Sequence, residues 1–176
     1  MSAGSATVVR AVNEPSTGAA TASHDVRSEP GTYALLLQSN RTDEIGIGRW
    51  RNLRIEPGYY LYVGSAFGPG GVRARVTRHF RRQKRNHWHI DYLRDAIEPV
   101  CAWFSYEPFR LEHRWAQALA RRHDIACIKG FGCSDCGCEG HLFTMSTKPD
   151  CIELSSALGD CLGWCPYRQV SPQEAK

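Results

Sequence analysis

Tyr62-Val63-Gly64-Ser65-Ala66, then Arg75-Val76-Thr77-Arg78-His79 and His87-Trp88-His89, carry the reading that decides the fold of this chain. The first piece reads as a strand ending on a glycine. The second has the period of a helix, because Val72, Val76 and Phe80 recur every four residues and form an apolar stripe. At roughly 100° per residue, Arg75 and His79 border that stripe and Arg82 continues the row, whereas Arg78 and Arg81 point outward. Pro69-Gly70-Gly71 supplies the turn between strand and helix.

Charge sharpens this reading. No acidic side chain lies between Glu56 and Asp91, while Arg73, Arg75, Arg78, Arg81, Arg82, Lys84 and Arg85 all do. The formal net charge is only +4, so the basic block is a local patch. A patch of this kind suits an anion with closely spaced phosphates, which is nucleic acid. Arginine fits because its planar fork donates two parallel hydrogen bonds to a phosphate. A solvated basic helix face is the alternative on charge alone; the placement of Arg75 and His79 beside the stripe favours function.

Working outward, Tyr33 to Gln38 reads as a short apolar strand, and Glu44–Arg49 with Leu53–Ile55 as an inserted pair of strands. Pro57-Gly58 turns into a strand over Tyr59–Val63. The first helix is expected over Gly71–Gln83. A second is expected from His87 to about Ile97, with Asn86 as N-cap. Pro99–Ser105 reads as a strand. Pro108 fits the first turn of a third helix striped by Leu111, Trp115, Ala118 and Leu119. His141–Met145 closes as a strand. The pattern from Lys148 onward is less regular, with Trp164 and Cys165 packing back. The expected fold class is therefore α/β (α+β), a small antiparallel or mixed sheet flanked by helices in a single domain over residues 30–147, with a C-terminal extension over 148–176.

At 176 residues one compact domain is expected. Residues 1–29 hold no aromatic side chain and are rich in Ala, Ser, Thr and Gly, so they read as a disordered tail. Glu14, Asp25 and Glu29 argue against a transit peptide. No apolar run reaches the roughly 20 residues that span a bilayer, so no membrane partner is expected. Eight cysteines without the apolar core of a signal peptide point to the cytoplasm and to free or metal-bound thiols.

These residues, in this order, resemble the GIY-YIG nuclease superfamily. Its first motif matches Gly31-Thr32-Tyr33 and its second Tyr62-Val63-Gly64; the arginine and histidine that follow match Arg75 and His79. A histidine opening the next helix matches His87, and the late helix with its metal-binding glutamate matches Leu111-Glu112-His113-Arg114-Trp115. Within the superfamily the chain is most similar to a small branch sometimes joined to base-excision DNA glycosylases. That branch carries His87-Trp88-His89-Ile90-Asp91-Tyr92-Leu93 and Gly130-Phe131-Gly132-Cys133-Ser134-Asp135-Cys136. Three departures stand out: Thr32 replaces the usual isoleucine, the long gap from Tyr33 to Tyr62 implies an extra hairpin, and the late asparagine that many active members carry has no match.

The resemblance implies a metal-dependent endonuclease acting on DNA, with a place in DNA repair, and with Tyr33, Tyr62, Arg75, His79, His87 and Glu112 as its catalytic set. The chemistry is consistent with those residue types. Glu112 can hold one magnesium or manganese ion, since a hard cation takes oxygen ligands and keeps most of its waters. Arg75 can neutralise charge growing on the phosphoryl oxygens. Tyr33 or Tyr62 can position or deprotonate water, provided a nearby cation lowers the phenol pKa from about 10. The plainer roles are a macrodipole partner for Glu112 and core packing for the tyrosines. His87 and Asp91, spaced i, i+4, can form a ring–carboxylate pair or a surface cap; His89 reads as structural.

Cys133, Cys136, Cys138 and His141 have the ligand types of a zinc site at tighter spacing than two separated pairs, and Cys161 with Cys165 could complete it. Buried thiols in a glycine-rich loop are the alternative. Three functions thus follow: a metal-dependent endonuclease, a DNA-binding module acting beside a repair glycosylase without turnover, and a zinc-organised interaction domain.

Overall fold

In the computed structural model, the described residues are 25–81, 85–134, 136–159 and 163–167. Eight strands and four helices follow one another there: β1 (Thr32–Ser39), β2 (Asp43–Ile47), β3 (Arg51–Ile55), β4 (Gly58–Ser65), α1 (Gly71–Phe80), α2 (His89–Ala96), β5 (Glu98–Ser105), α3 (Glu112–Ala120), β6 (Ala126–Cys127), β7 (Leu142–Met145), α4 (Cys151–Leu158) and β8 (Gly163–Pro166). Six strands make one antiparallel sheet in the order β6-β7-β4-β1-β5-β8, and β2 and β3 pair as a separate hairpin. The α+β class is as expected, and the inserted pair forms a hairpin.

Strand alternation builds two cores. Tyr33, Leu35 and Leu37 of β1 point to one face, where they join Val72, Val76 and Phe80 of α1, Ile90 and Leu93 of α2, and Ile47 and Ile55 of the hairpin. Ala34 and Leu36 point to the other, against Leu111, Trp115, Ala116 and Leu119 of α3 and Leu154 and Leu158 of α4. β1 is therefore buried on both faces, which explains its unbroken apolar run. Among the described residues no helix is long and apolar enough to cross a membrane.

Several boundaries differ from the pattern reading. Helix α1 stops at Phe80 because Arg81 takes an extended backbone, and residues 82–84 lie outside the described ones. Helix α2 begins at His89 rather than His87, and its capping contact is not from Asn86. Asp91 instead turns back and accepts from the backbone N–H groups of His87 and Trp88, at 3.0 and 3.1 Å; Asn86 donates to Asp95. Pro108 sits ahead of α3, and Ala116, not Ala118, completes its buried stripe. Beyond residue 147 the chain is more regular than its pattern suggests. Asp150 caps α4 by accepting from Ile152 and Glu153, and β8 pairs with β5 to extend the main sheet.

The expected tail over residues 1–29 falls mainly on 1–24, outside the described residues, but its last part is docked. Val26 packs against the first core. The carbonyls of Arg27 and Glu29 accept from Arg73 and Val72, satisfying two of the orphan donors that open α1. Gly71 makes this approach possible: with φ at 54°, a Cβ there would lie 2.1 Å from the Glu29 carbonyl oxygen.

Candidate active site

The C-terminal end of β4 and the start of β1 meet at one end of the central strands, and a cleft of about 450 Å³ opens there. Tyr33, Tyr62, Arg75, His87 and Glu112 all line it, with Arg110, His89, Ser134 and His141. Five of the six residues expected to form the site thus share one cavity. The sixth, His79, lies fully buried directly behind it.

Backbone register brings the tyrosines together. Tyr33 faces Gly64 and Leu35 faces Tyr62 across the β1–β4 ladder, so the two phenols lie diagonally on the same face, with ring centroids 6.3 Å apart. Gly64 leaves the space: a Cβ there would sit 2.6 Å from the Tyr33 hydroxyl and 3.1 Å from the Tyr62 ring. The glycine of the Tyr-x-Gly motif is therefore required by the phenol it faces. Thr32 earns its place differently. Its Oγ1 accepts from the Leu111 N–H at 3.0 Å, pinning the start of α3, and hence Glu112, to the first residue of β1.

Behind the cleft runs a buried polar chain. The Tyr33 hydroxyl and His79 Nε2 are 2.8 Å apart. His79 Nδ1 lies 4.0 Å from Asp91 Oδ1. Asp91 is fully buried, and its Oδ2 accepts from Arg78 at 2.8 Å. Arg94, also buried, donates to the His79 carbonyl at 2.7 Å, so the histidine is held through its backbone as well. Burial raises the Tyr33 pKa well above its ordinary value and outweighs the opposing pull of Arg75. The Tyr33 phenol is therefore neutral and is backed by a histidine, with Tyr62, the other tyrosine expected at the site, beside it in the cleft.

This chain also corrects two placements. Asp91 pairs with His79 and Arg78, not with the His87 ring. Arg78 is not an outward fringe residue: besides Asp91 it donates to the Arg85 carbonyl at 2.7 Å. Removing it takes a charge-assisted partner from a buried carboxylate, so Arg78→Ala should cost about 2 kcal/mol of stability. Chemical denaturation measures this. A loss within the ~0.5 kcal/mol of an ordinary surface change would mean that backbone donors alone satisfy Asp91. His89 has the structural contacts expected of it and also faces the cavity. It lines the cleft, its Nδ1 accepts from the Gly132 N–H at 3.4 Å, and its ring contacts Trp50 and Phe131.

Partial burial lowers the His89 pKa from 6.5, so at neutral pH the ring is uncharged and can accept. For a depressed histidine the stabilising contribution is present above the unfolded value and lost as pH falls from 6.5 toward the folded value. Protection of the Gly132 amide from hydrogen exchange should fall in that window. His89→Gln, which cannot titrate, should abolish the pH dependence.

The basic residues divide by location. Arg75 stacks over Trp88, its guanidinium carbon 4.0 Å from the ring centroid. A second groove of about 660 Å³, lined by Arg75, Arg78, Arg85, His87 and Trp88, shares Arg75, His87 and Trp88 with the cleft. Arg81 and Arg85 are exposed and Arg73 is half-buried. Arg82 and Lys84, also expected to meet nucleic acid, lie outside the described residues. Arg110, which the sequence reading missed, also lines the cleft and donates to Ser65 at 3.0 Å; its only sequence signal was a charge just ahead of α3.

One wall of the cleft leads to a second cluster. His113, Cys136, Cys138 and His141 bring one ligand atom each to within 4.8 Å of one another, an arrangement that could hold a metal and is more zinc-like than magnesium-like. The expected set is thus revised: Cys133 is replaced by His113, and the Cys133 thiol is directed toward the Glu139 carbonyl at 3.8 Å. Burial, then the neighbouring Cys136, push the Cys138 thiol up to about 11. Cys165 is a core residue of β8 whose thiol burial holds at about 12, and Cys161 lies outside the described residues.

The family model for a domain of unknown function, DUF123, matches residues 32–163. No curated protein and no solved structure matches the chain.

Proposed function

The chain belongs to the DUF123 family, and we propose that it is a metal-dependent endonuclease that hydrolyses phosphodiester bonds in DNA. The observation that carries this reading is the convergence of Tyr33, Arg75, His87 and Glu112 on one polar cleft, with His79 hydrogen-bonded behind Tyr33. Phosphodiester hydrolysis needs an activated water, a clamp on the phosphate and help for the leaving oxygen. Residues of each type are present.

Among the described residues, Glu112 is the only carboxylate lining the cleft. One carboxylate with open space around it suits a magnesium or manganese ion that keeps most of its waters, and does not suit a soft metal. When bound, such an ion supplies Lewis-acid stabilisation of the phosphoryl oxygens. The protein's own groups do the rest. Arg75 and Arg110, both lining the cleft, neutralise the phosphate as it gains charge. The attacking water gives its proton to the Tyr33 oxygen as the Tyr33 proton passes to His79 Nε2. The resulting imidazolium is stabilised by the Asp91 carboxylate. A Tyr33 phenol that stays neutral by burial is compatible with this relay, since it need never rest as phenolate. The oxygen of the departing strand leaves as its bond to phosphorus breaks, with His87 at the mouth as its proton donor. The groove along Arg75, Arg78 and Arg85 continues the track for the backbone.

Incubating the purified protein with duplex, branched, nicked and abasic DNA, with and without magnesium or manganese, tests the reading. Cutting that requires the cation supports it. Binding without cutting under every condition would favour the binding module acting beside a glycosylase. Within the cutting reaction, Arg75→Ala should lower turnover at saturating DNA by about 10² to 10³, the cost of removing one preorganised donor. Exposed Arg81→Ala should change affinity alone. Equal turnover losses for the two would place Arg75 outside the reacting geometry.

A further inference from the structure

The cluster beside the cleft has no part in the hydrolysis described above. We propose that His113, Cys136, Cys138 and His141 form a structural zinc site that fastens the 131–141 loop to α3. The assignment does not depend on whether the cleft cuts DNA. Two independent observations carry it.

The first is geometric. With Zn–S near 2.3 Å and Zn–N near 2.0–2.1 Å, a tetrahedral site places a nitrogen and a sulfur roughly 3.6 Å apart. His113 Nδ1 and Cys138 Sγ are 3.3 Å apart, and Cys136 Sγ and His141 Nε2 are 3.4 Å apart. Each nitrogen thus stands at nearly the edge length of such a tetrahedron from a sulfur, and all four atoms fall within 4.8 Å. Two thiolates and two imidazoles are also the donor set that zinc accepts in closed, four-coordinate sites. His113 presents Nδ1 to the cluster, and its Nε2 faces the Glu112 carboxylate at 3.6 Å. A carboxylate on the far nitrogen is the usual arrangement behind a ligating histidine.

The second is a packing argument. Phe131 is buried and His141 begins the return to the sheet, but between them no described residue other than Gly140 is buried. Such a loop has little apolar surface to offset the entropy of ordering it. Its ends are tied by backbone bonds, from His141 N–H to the Phe131 carbonyl and from Val63 N–H to the His141 carbonyl, both at short range. A zinc ion adds the missing tie in the middle. It joins Cys136 and Cys138 in the loop to His113 in the first turn of α3, one residue from Glu112. It thereby sets one wall of the cleft.

The test is metal content of the untagged full chain purified under reducing conditions without chelator. About one zinc per chain is expected. Exchange for cobalt should give the visible bands of a tetrahedral ion together with thiolate charge-transfer absorption. Replacing both thiols (Cys136→Ser with Cys138→Ser) should lower zinc content at least tenfold. His113→Asn should weaken retention against a competing chelator at least tenfold, while Cys133→Ser leaves content and cobalt spectrum unchanged. Wild-type protein that holds no zinc and takes up no cobalt would overturn the proposal without reference to any variant. So would a double thiol variant that keeps its zinc, or a Cys133→Ser variant that loses it.

Discussion

Glu112→Ala is expected to lower DNA cutting by roughly 10³-fold or more while leaving DNA binding nearly intact. The magnitude follows from the metal's stabilisation of developing charge, worth several kcal/mol, with each ~1.4 kcal/mol equal to tenfold in rate. Binding survives because a carboxylate without its metal repels phosphate, so its removal cannot weaken the basic track. Glu112 is largely shielded, with its side chain 15% exposed, and begins a helix pinned to β1 through Thr32. A macrodipole partner in that position would be worth only about 0.3–1 kcal/mol of stability and nothing in rate. Single-turnover cleavage with excess protein separates the two roles. A variant that cuts at the wild-type rate would leave Glu112 with the helix-end role alone.

The second large effect belongs to the buried relay. Tyr33→Phe keeps the ring and removes only the oxygen that meets His79, so cutting should fall by about 10² to 10⁴, the usual contribution of a positioned proton carrier. His79→Leu should produce a similar loss. Because the two act as a unit, the double variant should be no slower than the worse single variant. Multiplying losses would show that the residues act separately and that no proton passes between them. The same hydroxyl predicts a stability signature. Burial raises the folded Tyr33 pKa above the ordinary 10.0, so the unfolded chain releases this proton first. Stability contributed by the neutral phenol is complete below the unfolded value and is lost as pH climbs beyond it. Tyr33→Phe should flatten that alkaline decline.

How much of this was legible beforehand depended on whether the signal was local. The stripe Val72, Val76 and Phe80 is a period within one helix, and α1 buries those residues. The hairpin of β2 and β3 was readable from the long gap between Tyr33 and Tyr62. The separation of the two glycine motifs could not show why Gly64 matters; that depends on the register placing it opposite Tyr33. Asp91 was misassigned because an i, i+4 spacing holds only inside a helix, and α2 starts at His89, after His87. With His87 outside the helix, Asp91 was free to cap the backbone and reach His79. Arg78 was drawn inward by the same carboxylate, against the direction that its helical phase suggested. The place of His113 in the His/Cys cluster had no local signal, because its partners arrive from a loop after β6. Strand β8 was hidden by its shortness, and only the β5 edge made Trp164 and Cys165 part of the sheet.

Cleavage in ¹⁸O-labelled water tests the central claim most directly, with mass spectrometry of the newly formed ends. The account predicts one heavy oxygen on each new phosphate end, appearing only when magnesium or manganese is present and absent with Glu112→Ala. Unlabelled ends would mean bond breakage by elimination at the sugar. Those ends, labelled ends formed in chelator, or an absence of any cut product across the DNA panel would each contradict a metal-dependent hydrolase in this cleft.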